Sequence, residues 1–291
     1  MARSMSNSRG TTQAMETQTG ECVRSAQSAL EADWSPISVA VERAVSSTTA
    51  FGFEIREARY LIEHVLKYWL PHDLAHLAVT GVECEVELVV PHVPRVHGYI
   101  DVRGVTESGE RVIIDWKTAN GELDKKWTER LLDSWQWRIY AYATNATHVL
   151  YRGVSRNGAF RTVTIEVPPN NATQVELHIQ QLHAMRGLLT SSAVPWPRNK
   201  PEACNAFGRP CPHLAICRGG LPTPQGVGKP THSYSSLKVF QLCPERARLD
   251  AVLATDEDSE EASFGRIVHA GLAAAYRCAF SETIVFPSAS R

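Results

Sequence analysis

GYIDVRGVTESGERVIIDWKTA, residues 98–119, decides the fold of this chain. Its two halves are rich in β-branched and aromatic residues, and Glu107-Ser108-Gly109-Glu110 between them has the composition of a turn. The segment predicts an antiparallel hairpin with strands over 98–105 and 111–116. Side chains alternate faces along a strand, so Asp115 and Lys117 point together and Trp116 points away. Pairing across the turn brings Asp101 beside Asp115. Asp115 also follows the apolar run Val112-Ile113-Ile114, which places it at the end of a core strand. Two carboxylates with a lysine suit Mg²⁺ or Mn²⁺, hard cations that take oxygen ligands, and the backbone carbonyl of Trp116 is a further candidate ligand. A metal held there would polarise a phosphate and lower the pKa of a bound water, and Lys117 would orient that water or stabilise developing charge. An isolated D-x-K is common, and a hairpin with surface charges is the plain alternative.

Outward from the hairpin, apolar residues recur at helical spacing over 37–45 and 53–70, with Pro71 expected to end the second helix. Residues 82–90 (VECEVELVV) alternate as a half-buried strand does. A helix is expected over 125–143. Strands over 148–154 and 160–167 follow, joined at Asn157-Gly158, and then a helix over 172–189. The Pro-, Gly- and Cys-rich stretch 195–224 reads as loop, and 220–231 as a linker. Helices are expected over 233–254 and 262–279, with the acidic run 256–261 as a solvated loop between them. Residues 1–33, rich in Ser, Thr, Gln and Gly, read as a disordered tail. The expected organisation is therefore a tail, a core domain over 34–219, the linker, and a helical segment over 232–291.

The helix after the hairpin carries Gln136 and Tyr140 in SWQWRIYAYA. Their i,i+4 spacing puts an amide and a phenol on one face, able to contact a phosphate or brace a metal site. A Trp- and Tyr-rich core helix with Gln136 at its edge is the alternative. Three pieces now stand in order: Gly98-Tyr99-Ile100-Asp101, Ile113-Ile114-Asp115-Trp116-Lys117-Thr118, and Gln136-Trp137-Arg138-Ile139-Tyr140-Ala141. Together they resemble the PD-(D/E)XK nuclease superfamily, and within it the RecB-like, AddB-like exonuclease branch. That branch shows G-h-x-D, then h-h-(D/E)-h-K-T, then Q-h-x-h-Y-A. The resemblance implies an α/β, restriction-endonuclease-like core with a mixed central sheet flanked by helices. It also implies phosphodiester hydrolysis of DNA, with Asp101 and Asp115 as metal ligands. Glu85, in the preceding strand, is an accessory acidic candidate, or part of a solvated strand face.

Cys204, Cys211 and Cys217 lie in ACNAFGRPCPHLAIC. Three cysteines in one loop suggest soft-metal chemistry. A similar cluster in the resembling branch holds [4Fe–4S] with one distant Cys, although the first gap here is longer than its C-x-x-C. Zn²⁺ bound by the three cysteines and His213 is the metal alternative, and free buried thiols the third reading. Residues 233–276 read SYSSLKVFQLCPERARLDAV and then SFGRIVHAGLAAAY, like the usual beginning of a RecB-like domain. The resemblance makes Cys243 the distant cluster ligand and His269 a member of the catalytic metal site. Both come after the core rather than before it. Either the domain is circularly permuted, or a second copy begins near residue 230. The stretch AFGFEIREARY (50–60) resembles the same helix, with Arg56 at the His position. His72 and His76 have helical metal-pair spacing but lack a third ligand, so a surface helix turn is expected there.

Composition sets the bounds. The chain has 291 residues, 43% hydrophobic and 21% charged, enough for a real core. No apolar run approaches the ~18 residues of a membrane span, and the N-terminus lacks a secretory h-region, so a cytoplasmic protein is expected. Seven cysteines form no obvious secreted disulfide framework. The net charge of -1 supplies no global basic footprint for nucleic acid, but a local groove and a bound cation can supply a positive site. Lys125, Lys126 and Arg130 are candidate phosphate contacts, and Trp127, Trp135 and Trp137 candidate stacking residues. No P-loop is present, so unwinding would come from a partner helicase or recombination complex. The expected function is a DNA exonuclease, or a flap- or structure-selective endonuclease, acting on single-stranded or duplex ends in DNA repair, recombination or phage DNA metabolism. The competing expectation is a nuclease fold that binds DNA or scaffolds without cutting.

Overall fold

A computed structural model describes residues 35–47, 52–191, 196–198, 204, 210–219, 233–253 and 260–280. The tail 1–33, the linker 220–231 and residues 256–259 of the acidic run lie outside the described residues. In chain order the elements are α1 (Ser35–Ser46), α2 (Gly52–His76), β1 (Leu77–Leu88), β2 (Val96–Thr106) and β3 (Arg111–Ala119). Then come α3 (Lys125–Leu132), α4 (Trp135–Thr144), β4 (His148–Ser155), β5 (Phe160–Glu166) and α5 (Asn171–Ser191). The last are α6 (Leu214–Cys217), α7 (Tyr234–Leu242), α8 (Pro244–Leu253) and α9 (Glu260–Ala279).

The described strands form one sheet in the order β1-β2-β3-β4-β5. Only β3–β4 is parallel, and its crossover is the α3–α4 pair. The other neighbours are antiparallel. This is the mixed, helix-flanked sheet expected from the sequence. On β3 the alternation places Ile113 in one apolar layer and Ile114 in the other. The Ile114 layer receives α1, α2 and α9, through residues such as Val41, Leu61, Leu66, Val268 and Leu272. The Ile113 layer receives α3, α4, α5 and α7, through Trp127, Trp137, Val175 and Phe240.

Three helix boundaries differ from expectation. Proline inside a helix removes a hydrogen bond and crowds the preceding turn, yet α2 runs through Pro71 to His76. The turn beyond Pro71 is held by tertiary contacts. Asp73 is fully buried and engages both guanidinium nitrogens of Arg152 on β4 and the hydroxyl of Tyr276 on α9. The expected surface turn at His72 and His76 is thus partly a core element. The helix expected over 125–143 breaks at Asp133-Ser134, where the Ser134 hydroxyl caps α4 by accepting from the Gln136 N–H at 3.2 Å. The helix expected over 233–254 breaks at Cys243, which is extended (φ -157°, ψ 105°). Pro244 follows it, and a residue before proline is driven out of the helical region.

Candidate metal and catalytic site

The hairpin forms as its turn chemistry dictates. The register Val102↔Ile114 makes Asp101 and Asp115 the next residues along each strand. Asp101 is buried, and its Oδ2 accepts the Trp116 N–H at 2.6 Å. That bond fixes the carboxylate across β3. Asp115 is also buried. One of its oxygens meets the Lys117 ammonium, and the other accepts from Gln136 Nε2 at 3.0 Å. Gln136 is hydrogen-bonded in turn to Tyr140. The chain Tyr140–Gln136–Asp115–Lys117 therefore ties α4 to the end of β3.

Gly98 has a steric reason in this arrangement. A Cβ there would lie 2.7 Å from Tyr140 Cε1 and 3.1 Å from its hydroxyl. The Tyr140 ring occupies the space over β2 that any larger residue would fill.

Electrostatics separate the groups. Burial raises Asp115 to about 6, with Lys117 opposing the shift and Asp101 adding to it. Burial pushes the Lys117 ammonium down, but the attraction of Asp115 and Asp101 outweighs it and its pKa is raised. Lys117 is a held cation at neutral pH. Burial and the Asp115 charge raise the Tyr140 phenol. On α7, Lys238 is lowered by burial and, secondarily, by the like charge of Lys117, so a second lysine borders the site.

The carboxyl-terminal helix reaches this centre. His269 on α9 places Nδ1 3.3 Å from Asp101 Oδ1. Burial lowers its pKa, but Asp101 more than offsets this and the net shift is upward. Glu83 joins them from β1. Among the described residues, Glu83, Asp101 and His269 each offer a ligand atom within 4.8 Å of the others. Burial and the neighbouring Asp101 raise the Glu83 carboxyl. Of this donor set the two carboxylates suit Mg²⁺ or Mn²⁺, and the imidazole is a borderline donor that softer divalent ions take more readily. This compact group shares Asp101 with the expected set of Asp101, Asp115 and the Trp116 carbonyl, and Asp115 stands beside it with its oxygens facing Lys117 and Gln136.

Glu83 is the acidic residue that sequence reasoning missed in favour of Glu85. The pairs Val82↔Val102 and Cys84↔Ile100 set Glu83 opposite Asp101. Glu83 also has φ +51°, rare for a residue with a side chain. Around it the pleat changes face: Val82 packs with the Ile114 layer and Val86 with the Ile113 layer, although regular alternation would put both on one side. Glu85 instead faces His97 at 3.7 Å on an exposed edge. Arg56, at the other candidate His position, is exposed on α2.

The remaining candidates are scattered. Lys125, Lys126 and Arg130 are exposed on α3, across the sheet from α9, and Lys125 pairs with Glu129 at 3.5 Å. Trp127 and Trp137 are buried, and the Trp137 indole donates to the Leu132 carbonyl at 3.0 Å. They are core residues, not exposed stacking platforms. Trp135 is half-buried and stacks on His178 at 3.7 Å between ring centroids.

The four cysteines gather beside α8. The Cys211 N–H donates to the Cys204 carbonyl at 2.6 Å. Burial raises the Cys211 thiol, and Cys204 and Cys243 add to the rise. Burial likewise raises Cys217, with Cys211 and Cys243 contributing. His213, the alternative zinc ligand, is buried with Nε2 2.6 Å from Asp250.

The family model describing the PD-(D/E)XK nuclease superfamily matches residues 4–218. That span holds Asp101, Asp115, Lys117, Gln136 and Tyr140, and it ends before Cys243 and His269. No curated protein matches the sequence. Among the solved structures to which the chain is similar is that of SSO0001, at 16% identity over 56% of this chain and 71% of that one, with a TM-score of 0.32. No described helix is long and apolar enough to cross a membrane. With the family match spanning most of its length, the chain belongs to the PD-(D/E)XK nuclease superfamily.

Proposed function

We propose that this chain is a metal-dependent DNA nuclease of the RecB-like kind, cutting at ends or flaps in DNA repair, recombination or phage DNA metabolism. The observation that carries this reading is the meeting of His269 with Asp101 and Glu83 beside the Asp115–Lys117 pair. A catalytically dead scaffold has no need of that convergence. Glu83, Asp101 and His269 would hold the divalent ion, with Asp115 and the Trp116 carbonyl at its border. When bound, the ion supplies charge for a phosphate oxygen and makes water more acidic. Lys117 places a fixed positive charge where negative charge grows on the phosphate, and needs no reorganisation to do so. Gln136 holds the Asp115 rotamer, and Tyr140 holds Gln136. Helix α9 then contributes His269 to the site from a position after the core, as a permuted element would.

End-labelled single-stranded and duplex DNA, incubated with purified protein and Mg²⁺ or Mn²⁺, is expected to be degraded, and a chelator to stop it. DNA binding with no metal-stimulated hydrolysis would favour the non-cutting reading instead.

The gathered thiols support a second metal centre. A zinc ion with thiolates at about 2.3 Å holds its ligand atoms within about 4 Å of one another. Among the described residues the thiols do not come that close as a group, while His213, with Nε2 on Asp250, keeps Nδ1 for a metal. The reading we favour is a larger [4Fe–4S] cluster on Cys204, Cys211, Cys217 and Cys243. Anaerobically purified protein is expected to show a broad visible absorbance that Cys243→Ser loses. A colourless protein with stoichiometric zinc would reverse the assignment.

A further inference from the structure

A cleft of about 870 Å³ opens between α1 and α9, and Glu83 and His269 form part of its wall. On α9 it is lined by Arg266, Ala270, Ala273 and Arg277. These recur at i, i+4, i+7 and i+11, so they form one stripe down the helix. Eleven residues at about 1.5 Å each separate the two arginines by about 16 Å along the axis. Both arginines are exposed. Between them the wall is alanine, and α1 contributes the small residues Ala44 and Ser47. Glu83 is the one acidic residue among those lining the cleft, and it belongs to the candidate metal group.

We propose that this cleft receives one strand of a polynucleotide, with Arg266 and Arg277 holding phosphates on either side of the Glu83–Asp101–His269 group. The proposal rests on the nuclease reading and adds the substrate class. A guanidinium fork matches phosphate oxygens in two-point contacts. The alanine floor lets a sugar–phosphate chain lie close to the helix. Pockets of about 300–1,000 Å³ enclose a small ligand, so a cleft of this volume has room for a few nucleotides of one strand. On this proposal single-stranded ends or flaps bind ahead of duplex.

The test measures binding of fluorescently labelled oligonucleotides in Mg²⁺, single-stranded and duplex of equal length, to Lys117→Ala protein so that cleavage does not interfere. Adding Arg277→Ala or Arg266→Ala is expected to weaken single-strand binding about tenfold and to reduce the slope of log affinity against log salt by about 1 each. Arg277→Lys should restore the slope but not all of the affinity. Duplex binding should be weaker at the outset and change little. Melting temperatures matching the parent show that the fold is retained. Single-strand affinity unchanged in both alanine variants, or equal losses on single strand and duplex, would overturn the proposal. Failure of the nuclease reading would appear separately, as parent protein that cuts nothing in Mg²⁺.

Discussion

Lys117→Ala is expected to cut DNA about 10³-fold more slowly than the parent in single turnovers, a loss of about 4 kcal/mol of transition-state stabilisation. The magnitude follows from what the ammonium does and where it sits. A preorganised charge aimed at developing negative charge contributes about 10²–10³ in rate even when it is a neutral donor, and a cation contributes more. Lys117 is half-buried, and Asp115 and Asp101 keep it protonated. Its charge is present throughout the neutral range and is little screened. Arginine should not replace it, because a broad planar fork cannot occupy the space of a point charge already seated on Asp115. Asp115→Ala should lose as much. It frees Lys117 from its partner and leaves the Gln136 amide without its acceptor. Circular dichroism spectra matching the parent would show that both variants keep the fold, with melting temperatures lowered by the one-sided loss of a buried partner. The decisive measurement is single-turnover cleavage of end-labelled DNA at saturating protein, and equal rates for parent and variants would sink the assignment of this centre.

Asp73→Ala is expected to destabilise the fold by about 3–5 kcal/mol, the usual consequence of breaking a buried ion pair from one side. Arg152 is 2% exposed and Asp73 0%. Arg152 Nη2 donates to Asp73 Oδ1 at 2.5 Å, and Nη1 donates both to Asp73 and, at 2.9 Å, to the Tyr276 hydroxyl. Removing the carboxylate leaves a guanidinium in the core with only neutral neighbours, the Tyr276 hydroxyl and the Trp69 ring among them. Asp73→Asn should cost less, since the amide oxygen still accepts. Urea denaturation measures the difference directly. An Asp73→Ala midpoint within error of the parent would show that the pair contributes nothing net.

The pH dependence has a defined sign. Burial pushes the Asp73 carboxyl up, but Arg152, His72 and Tyr276 together more than offset it, and the folded-state pKa lies below the ordinary 3.8. Its contribution is therefore complete above that ordinary value and is lost as pH falls through the lower folded one. The triad also links α2, β4 and α9. Tyr276 lies two turns beyond His269 on the same helix, so loosening it also loosens the seat of His269.

Much of the site was legible in the sequence because much of it is local. The Asp101–Asp115–Lys117 arrangement needs only strand alternation and a short turn, and Gln136 with Tyr140 needs only helical spacing. These rules act within a few residues, where covalent geometry restricts the alternatives. The helix breaks at Ser134 and Cys243 were also written locally, in a serine cap and a following proline. Trp127 and Trp137 were less clear, because an aromatic on an amphipathic helix looks the same whether its face meets a core or a ligand.

What the sequence by itself determined, then, is the hairpin, the superfamily and the juxtaposition of Asp101, Asp115 and Lys117. The tertiary structure decided which groups complete that centre. Glu83 rather than Glu85 faces Asp101 because the β1–β2 register is set across the connection 89–95 and a positive φ turns the pleat. His269 reaches Asp101 because α9 buries Val268 and Leu272 against the Ile114 layer and is anchored there through Tyr276. No local rule specifies such contacts. They exist only where distant apolar faces pack in a single register and bring along the polar groups between them.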